Sequence, residues 1–368
     1  MSDLRDRSGL PATELPVDLL VVGAGPTGIA IGAEARKAGL STLLIDRGGL
    51  CAAIQAWPID LRFFTTRDKL EIVGMPFSIP EDKPTRQQAL AYYQGVARAF
   101  DLPLALFEEV TAVDQLDQAG GFVVETRAVD GRRDGDGRPR VVRRRARAVA
   151  LATGYFGQPK RLGVPGEELS WVRSRYLEPW QHFGQRVLLV GGGSTASETA
   201  LDLWRHGVAV TLAHRRAALK SSLKYWLKPD LENRIAEGSI DGRFETVVER
   251  FHPDRSVSLR GPGGAERLAV GAAYVLIGYH PDFELLNRCG VELHGDDRQP
   301  VHDPETCASN VPGLYVAGTL QAGRRTNRIF IENSRDHGAK IVGHLLTTGR
   351  TGTAPDRAVP SLASVGLD

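Results

Sequence analysis

The sequence has few cysteines and no clear excess of charge of either sign. Three cysteines, Cys51, Cys289 and Cys307, are spread over 368 residues without a C-x-x-C pair. This spacing argues against a disulfide scaffold and a zinc ribbon, and it favours a reducing, cytoplasmic setting. Lysine and arginine number 46 against 44 aspartate and glutamate residues. The charge therefore gives no reason to expect nucleic acid or an anionic membrane as a partner.

Long hydrophobic runs are missing as well. The longest uncharged stretch, residues 19–33, is too short to span a bilayer and is interrupted by glycine and proline. The first residues carry both signs of charge and lack the apolar core of a signal peptide. No H-E-x-x-H or other metal-ligand spacing occurs. We therefore expect a soluble protein without a metal site.

Glycine is abundant, at 41 residues, and it clusters where strand-like runs give way to helix-like runs. Residues 17–22 predict a strand, 23–28 a turn, 29–38 a helix and 41–45 a second strand. The same order returns at 186–190, 191–196, 197–206 and 208–212. This repetition of strand, glycine turn, helix and strand predicts an α/β protein with two Rossmann-like dinucleotide-binding domains.

The first glycine turn has the G-x-G-x-x-G pattern. Gly23 would make the tight turn, Gly25 would let the backbone approach a pyrophosphate, and Gly28 would allow close packing of helix and strand. Asp46 stands at the end of the second strand, where a carboxylate can accept hydrogen bonds from a ribose hydroxyl. The combination predicts a dinucleotide site.

The second turn, which begins at Gly191, has Ala196 in place of the third glycine. Its second strand is followed by His214, Arg215 and Arg216, with Lys220 nearby, and not by an acid. Guanidinium groups can bind a 2′-phosphate in bidentate fashion, which predicts NADPH over NADH, with a solvated basic turn as the alternative. The acidic turn would hold FAD, and hydride would pass from the nicotinamide to the flavin.

The order of these motifs resembles the flavoproteins related to thioredoxin reductase. Four segments resemble the bacillithiol disulfide reductases more specifically: 62–72, 83–86 with Tyr92-Tyr93, 278–282 and 328–333. The resemblance runs from about residue 17 to 346. It implies an NADPH domain at 161–295 inserted into an FAD domain at 17–160 and 296–350, with weakly ordered tails at 1–16 and 351–368. It further implies reduction of a low-molecular-weight disulfide such as bacillithiol disulfide.

The resemblance also implies where the flavin would lie. Gly318 and Thr319 would contact the ribityl chain and pyrophosphate, and Ile329 and Phe330 the isoalloxazine ring. Thr153 and Gly154 would close over the FAD, and Val110 would offer its backbone to the adenine. The other expected cofactor contacts are Pro26, Thr27, Arg47, Thr66, Gly193, Ser194 and Thr195. Trp57 and Phe64 either flank the flavin or belong to the core.

The family carries a cysteine in the first glycine turn, at the position of Thr27. Disulfide reduction by a flavin ordinarily uses a thiolate, which Thr27 cannot supply. Cys51 is interpreted as an ordinary buried residue, with a substrate-facing thiol as the alternative. No catalytic residue is assigned.

Three alternatives stay open. A ferredoxin- or flavodoxin-NADP reductase needs no active-site cysteine. A flavin monooxygenase shares the first glycine motif, but the residues after 155–157 lack its F-x-G-x-x-x-H pattern. A redox sensor would hold FAD without turnover. The expected partner is thus a small-molecule disulfide or a small electron-carrier protein, and the relatives imply a homo-oligomer.

Overall fold

A computed structural model describes residues 16–116, 120–221 and 223–351. The chain divides into two compact units. Within the described residues, the first unit runs to Gln55, continues over Arg62–Gly157 and resumes at Pro281. The second unit comprises Ala56–Leu61 and Gln158–His280. The expected tails lie outside the described residues, apart from Pro16 and Thr351.

Strands and helices alternate around the two glycine turns, and strands follow one another elsewhere. Up to residue 157 the elements are β1 Val17–Val22, α1 Pro26–Lys37, β2 Thr42–Asp46, α2 Ala52–Gln55, α3 Arg67–Leu70, α4 Arg86–Ala99, β3 Leu104–Leu106, β4 Glu108–Gln115, β5 Phe122–Ala128 and β6 Val141–Leu151. From residue 158 to 280 they are β7 Gln158–Pro159, β8 Val172–Arg173, a 3₁₀ helix Trp180–His182, β9 Arg186–Val190, α5 Ser194–Arg205, β10 Ala209–His214, α6 Lys228–Ala236, β11 Asp241–Phe244, β12 Val247–Phe251, β13 Ser256–Gly261, β14 Gly264–Ala269, β15 Ala272–Val275 and β16 Tyr279–His280. After it they are α7 Phe283–Arg288, β17 Leu293–His294, β18 Gln299–Pro300, β19 Leu314–Val316, a 3₁₀ helix Gly318–Ala322 and α8 His337–Thr347.

The first unit is built on a seven-stranded sheet in the order β3-β2-β1-β6-β5-β4, with β19 also paired to β6. The strands β1, β2, β3, β6 and β19 pair in parallel, whereas β4, β5 and β6 form an antiparallel meander. Residues 18–22 of β1 are all buried, as expected of a central parallel strand covered on both faces.

The second unit repeats the parallel arrangement with a five-stranded sheet in the order β11-β10-β9-β15-β8. A separate antiparallel sheet, β12-β13-β14, accompanies it. Both predicted strand–turn–helix–strand units are therefore present, and the expected α/β class with two Rossmann-like sheets is confirmed. Among the described residues, no helix combines the length and the apolar character needed to cross a membrane.

Two segments lie in the opposite unit from the one expected. Residues 281–295 belong to the first unit because Phe283, Leu285 and Leu286 of α7 are buried in its core beside Val110 and Leu314. Residues 56–61 belong to the second unit, where the backbone N–H of Ile59 donates to Leu177 O at 2.9 Å. These contacts correct the expected boundary at residue 295 and the expected continuity of 17–160.

The sequence predicts a helix over residues 330–346, after the strand that ends at Gly318, but the helix begins later, at His337. Residues 330–336 form turns because side chains there bind the backbone: Asn333 Oδ1 accepts from the N–H of Phe330 and Ser334 Oγ donates to its carbonyl oxygen. Such local bonds compete with helix formation. The sequence predicts a solvated hairpin for the basic run at 143–147, with a phosphate patch as the alternative. The run lies on β6, where Arg143 and Arg144 pair with carboxylates of the same sheet.

Candidate functional site

The first glycine turn lies at the carboxyl end of β1 and leads into α1. A Cβ on Gly23, which has a φ of 112°, would overlap the carbonyl oxygen of Ala152, and one on Gly28 would overlap the carbonyl oxygen of Gly23. Gly25 caps α1 in an extended conformation, and a Cβ there would meet no atom within 4 Å. Two of the glycines are thus required by packing, and the third leaves its backbone accessible, which fits the approach of a pyrophosphate.

Asp46 binds this turn directly. One carboxylate oxygen accepts from Ala24 N and the other from Gly48 N, each at 2.8 Å. Both oxygens keep further lone pairs, so the carboxylate can still accept from a ribose hydroxyl. The neighbouring Arg47 places its guanidinium against the backbone of Gly157, where a Cβ would overlap it.

The second glycine turn has the same shape at the end of β9. Gly191 has a φ of 146°, and a Cβ there would overlap the carbonyl oxygen of Leu276. Gly193 caps α5 with open space in front of it, as Gly25 does for α1. Ser194 and Thr195 open the helix, and the buried Ala196 stands where the first turn has Gly28.

His214, at the end of β10, packs its ring on Gly192 of this turn, where a Cβ would overlap the imidazole. The side chain is 6% exposed, and its Nε2 has no hydrogen-bond partner within the described part of the chain. Burial lowers the pKa of His214, and the cationic groups of Arg216, Arg215 and Lys220 lower it further. The two arginines and Lys220 are exposed. The turn is therefore lined by positive charge.

A third turn meets the first one. A Cβ on Gly318, which has a φ of 67°, would lie 2.8 Å from Thr27 Oγ1, and one on Gly154 would lie 3.4 Å from Thr319 Oγ1. Thr27, Thr153, Gly154, Gly318 and Thr319 are thus brought to one place at the carboxyl ends of β1, β6 and β19.

Sequence reasoning missed His337 as part of this arrangement. Its Nδ1 accepts from the N–H of Gly318 at 3.0 Å, and its side chain is 6% exposed. Burial lowers the pKa of His337 to about 4, so it is neutral and carries its proton on Nε2. Ser334 joins the group through Thr27 Oγ1, at 3.3 Å. Nothing local in the sequence signals these contacts, because the partners lie 19 and 307 positions apart.

Three of the four segments that carry the resemblance come together in the first unit. The backbone N–H of Phe63 donates to Pro84 O at 2.9 Å, which joins segment 62–72 to segment 83–86. The rings of Phe64 and Phe330 meet edge to face at 6.0 Å, which joins segment 62–72 to segment 328–333. Thr65 Oγ1 donates to Glu332 Oε1 at 3.3 Å. The side chain of Phe64 is 43% exposed, so it is not a core residue. It lies beside segment 328–333, which is expected to contact the flavin.

The remaining residues that are predicted to contact the cofactors lie on strands, at helix ends and in a turn. Val110 is buried on β4, at an irregularity in the pairing with β5. Thr66 is the N-cap residue of α3, and Ile329 is half-buried next to Phe330. Pro26 is the first residue of α1.

All three cysteines are buried and unpaired with one another. Burial, followed by the carboxylate of Asp46, raises the pKa of the Cys51 thiol above its ordinary range. Burial raises the pKa of Cys289 to about 12 and that of Cys307 to about 11. None of them is therefore a thiolate near neutral pH, which is the form that attacks disulfides.

Comparison with known proteins shows which family has this architecture. The pyridine nucleotide-disulphide oxidoreductase family matches residues 20–318. Bacilliredoxin reductase Bdr of Bacillus subtilis is 31% identical over 326 residues, covering 89% of this chain and 96% of that protein. The bacillithiol disulfide reductase structure from Bacillus cereus has a TM-score of 0.84 at 30% identity, covering 91% of this chain and all of that one. A ferredoxin–NADP reductase of Ignicoccus hospitalis is 25% identical over 314 residues, covering 82% of this chain and 90% of that protein.

These likenesses extend over the segments that carry the resemblance in the sequence, and they confirm it. They also agree with the two accessible glycine turns, one marked by an acid and the other by basic side chains. The chain belongs to the pyridine nucleotide-disulphide oxidoreductase family and is an FAD-dependent oxidoreductase that uses NADPH.

Proposed function

We propose that the protein reduces a low-molecular-weight disulfide, with bacillithiol disulfide as the first candidate. The observation that supports this choice of substrate is the 31% identity to bacilliredoxin reductase over almost the whole of both chains. In the overall reaction NADPH gives a hydride, the S–S bond of the substrate breaks, and one proton from solvent completes two thiols. When bound, FAD takes up the hydride and passes both electrons to the acceptor.

The first unit would hold the FAD. The backbone of Gly25 and the N-terminus of α1 would bind the pyrophosphate, and Asp46 would bind the adenosine ribose. Gly318 and Thr319 would bind the far side of the pyrophosphate and the ribityl chain. Ile329 and Phe330 would pack on the ring. Thr153 and Gly154, with Val110, Arg47 and Thr66, complete the proposed contacts.

The second unit would hold NADPH. Gly191, Gly193 and the opening residues of α5, Ser194 and Thr195, would bind its pyrophosphate through backbone and hydroxyl groups. Arg215, Arg216 and Lys220 would bind the 2′-phosphate. His214 packs on Gly192 of this turn, and its buried Nε2 has no hydrogen-bond partner among the residues that the structure describes.

We also propose a cellular compartment and an oligomeric state for the protein. A reducing compartment such as the cytoplasm suits three unpaired, buried thiols. We expect a homo-oligomer, which mass measurement of the native protein would test.

Stopped-flow spectroscopy tests the function. NADPH should bleach the flavin absorbance of the purified holoenzyme, and bacillithiol disulfide should restore it at a rate that sustains turnover. Other disulfides, ferredoxin, flavodoxin, quinones and oxygen form the comparison panel. Failure of every disulfide to reoxidise the flavin would overturn the proposal, and failure of NADPH to bleach it would favour a flavin-binding sensor.

A second candidate is a reductase of a protein electron carrier, such as ferredoxin. The observation in its favour is that Thr27 occupies the first turn while Cys51, Cys289 and Cys307 are all buried. A one-electron carrier needs no enzyme thiol, whereas disulfide reduction ordinarily does. Faster reoxidation by ferredoxin than by any disulfide would select this candidate.

A further inference from the structure

A solvent-accessible face of the first unit carries two aromatic rings beside two arginine side chains. We name it the Phe64 face and define it by Arg62, Phe64, Arg328 and Phe330. Along residues 62–65 exposure alternates: Arg62 and Phe64 are exposed, whereas Phe63 and Thr65 are buried. Arg62 and Phe64 are thus two solvent-accessible side chains, two positions apart in this segment.

Hydrogen bonds within segment 328–334 fix the other half of this face. The side chain of Asn333 accepts from the N–H of Phe330 at 2.7 Å and donates to the carbonyl oxygen of Arg328 at 2.9 Å. Ser334 Oγ donates to the carbonyl oxygen of Phe330 at 2.7 Å. Arg328 and Phe330 therefore stand on a preformed turn, so a ligand bound there does not have to order the loop.

Arg328 differs from the arginines around it. Arg324 donates to Asp296 O, Arg325 pairs with Asp297, and Arg335 donates to Asp68 O. Within the ranges that the structure describes, the exposed guanidinium of Arg328 has no such partner.

Two acids of the first unit, Glu332 and Glu81, interact with other groups. Glu332 turns its carboxylate towards the hydroxyl of Thr65. Glu81 lies within electrostatic reach of Arg62, which also donates to Lys83 O at 2.8 Å. Arg328 is thus available for an anion from outside the chain, and guanidinium is well suited to carboxylates because it can bind them through two parallel hydrogen bonds.

We propose that the Phe64 face binds the electron acceptor and that the acceptor is a carboxylate-bearing small disulfide. Arg328 pairs with the carboxylate, while Phe64 and Phe330 cover the apolar part of the molecule. This inference rests on the proposed function, because it places Phe330 beside the flavin. Beyond the proposed function, the inference states the charge of the substrate and names Arg328 as the residue that selects this charge.

The test uses the holoenzyme with three probe disulfides that differ in charge: anionic dithiobis(nitrobenzoate), neutral hydroxyethyl disulfide and cationic cystamine. Arg328→Gln should raise the KM for the anionic disulfide about fivefold, the scale of one exposed ion pair. Arg328→Glu should raise it about twentyfold and lower the KM for cystamine, because like charges repel. The KM for the neutral disulfide and the rate at which NADPH bleaches the flavin should not change.

A matched control is Arg98→Gln, an exposed arginine at the end of α4 in the same unit. It should leave all three KM values unchanged. Calorimetry with biphenyl dicarboxylate, which cannot be reduced, gives a readout independent of turnover, and Arg328→Glu should weaken its binding by a similar factor. Equal KM changes for all three charges, or unchanged binding of the dicarboxylate, would overturn the proposal.

Ferricyanide separates the binding of an anionic acceptor by Arg328 from the reduction of a disulfide. It is a small anionic acceptor that takes one electron and requires no disulfide chemistry. If no disulfide is reduced, the proposed function fails, yet Arg328→Glu should still raise the KM for ferricyanide. An unchanged KM for ferricyanide would remove Arg328 from acceptor binding whatever the physiological acceptor is.

Discussion

The two glycine turns have the same backbone and different chemistry. In each, the first glycine has a positive φ and lies against a carbonyl oxygen of a neighbouring strand end, and the second caps a helix with open space in front. They differ at the end of the following strand, where Asp46 accepts from the N–H groups of Ala24 and Gly48 and His214 packs its ring on Gly192. The two turns thus share a backbone that suits a phosphate, and the side chains after the second strand, acidic in one unit and basic in the other, would decide which nucleotide each turn takes.

The turns also differ in how firmly they are held. The first turn is contacted by the turn at Gly318. The backbone N–H of Gly318 in turn donates to Nδ1 of His337. The second turn is backed by the His214 ring, whose Nε2 is unpartnered among the described residues. A firmly held turn suits a resident cofactor, and a turn lined by exposed positive charge suits one that exchanges at every cycle.

The largest effect is expected at the third position of the turns. In Gly28→Ala the new methyl group would overlap the carbonyl oxygen of Gly23, which should cost about 3 kcal/mol or more and release FAD. The reciprocal change Ala196→Gly removes a methyl group and should cost about 1 kcal/mol, the helix penalty of glycine. Flavin absorbance per protein and the Tm measure both. Full flavin content in Gly28→Ala would show that the first turn is not the tighter one.

The next effect concerns the charge of the second turn. Replacing Arg215 and Arg216 together by Gln should weaken NADPH binding about a hundredfold, since each hydrogen bond to a charged group contributes roughly a factor of ten. NADH has no 2′-phosphate, so its binding should change little. Titration of both nucleotides against each variant measures this, with Arg161→Gln in the same unit as the control. Equal losses for NADPH and NADH would refute the assignment of the 2′-phosphate.

Acid should loosen the first turn through His337. Because the pKa of His337 falls from 6.5 in the unfolded chain to about 4 in the folded one, the proton binds the unfolded chain more tightly. Stability from neutral His337 is complete above pH 6.5 and is lost as the pH falls to about 4, by up to about 3 kcal/mol.

The measurement is FAD release followed by flavin fluorescence across this pH range. Asp336, Lys340 and His302 also influence the titration, so the control is His337→Gln, which can still accept from Gly318 but does not titrate. This variant should hold FAD to lower pH than the wild type. Identical release curves for the two proteins would mean that His337 does not brace the turn.

The sequence predicts well those features whose residues lie close together along the chain. The strands, the turns and the acid or base that follows each second strand lie within about thirty residues of one another, and strand–turn–helix geometry brings them together. Contacts such as Thr27 with Gly318, or Gly318 with His337, depend on the order of strands in a seven-stranded sheet, which no short pattern encodes. The helix expected from residue 330 shows a different limit. Its apolar pattern continues, but the side chains of Asn333 and Ser334 take the backbone hydrogen bonds that a helix would need.

The smallest effect is expected from the thiol beside the first turn, which has no counterpart in the second. Cys51 meets the turn through its backbone, whose N–H donates to Ala24 O at 2.9 Å, and its side chain is 2% exposed. Because burial keeps the thiol protonated, Cys51→Ala should leave turnover and flavin reduction unchanged and lower stability by about 1 kcal/mol through lost packing. Steady-state rates with disulfide and ferricyanide, together with the Tm, measure this. A loss of disulfide reduction alone, with ferricyanide turnover intact, would make Cys51 the relay after all and would turn the first turn from a binding site into part of the electron path.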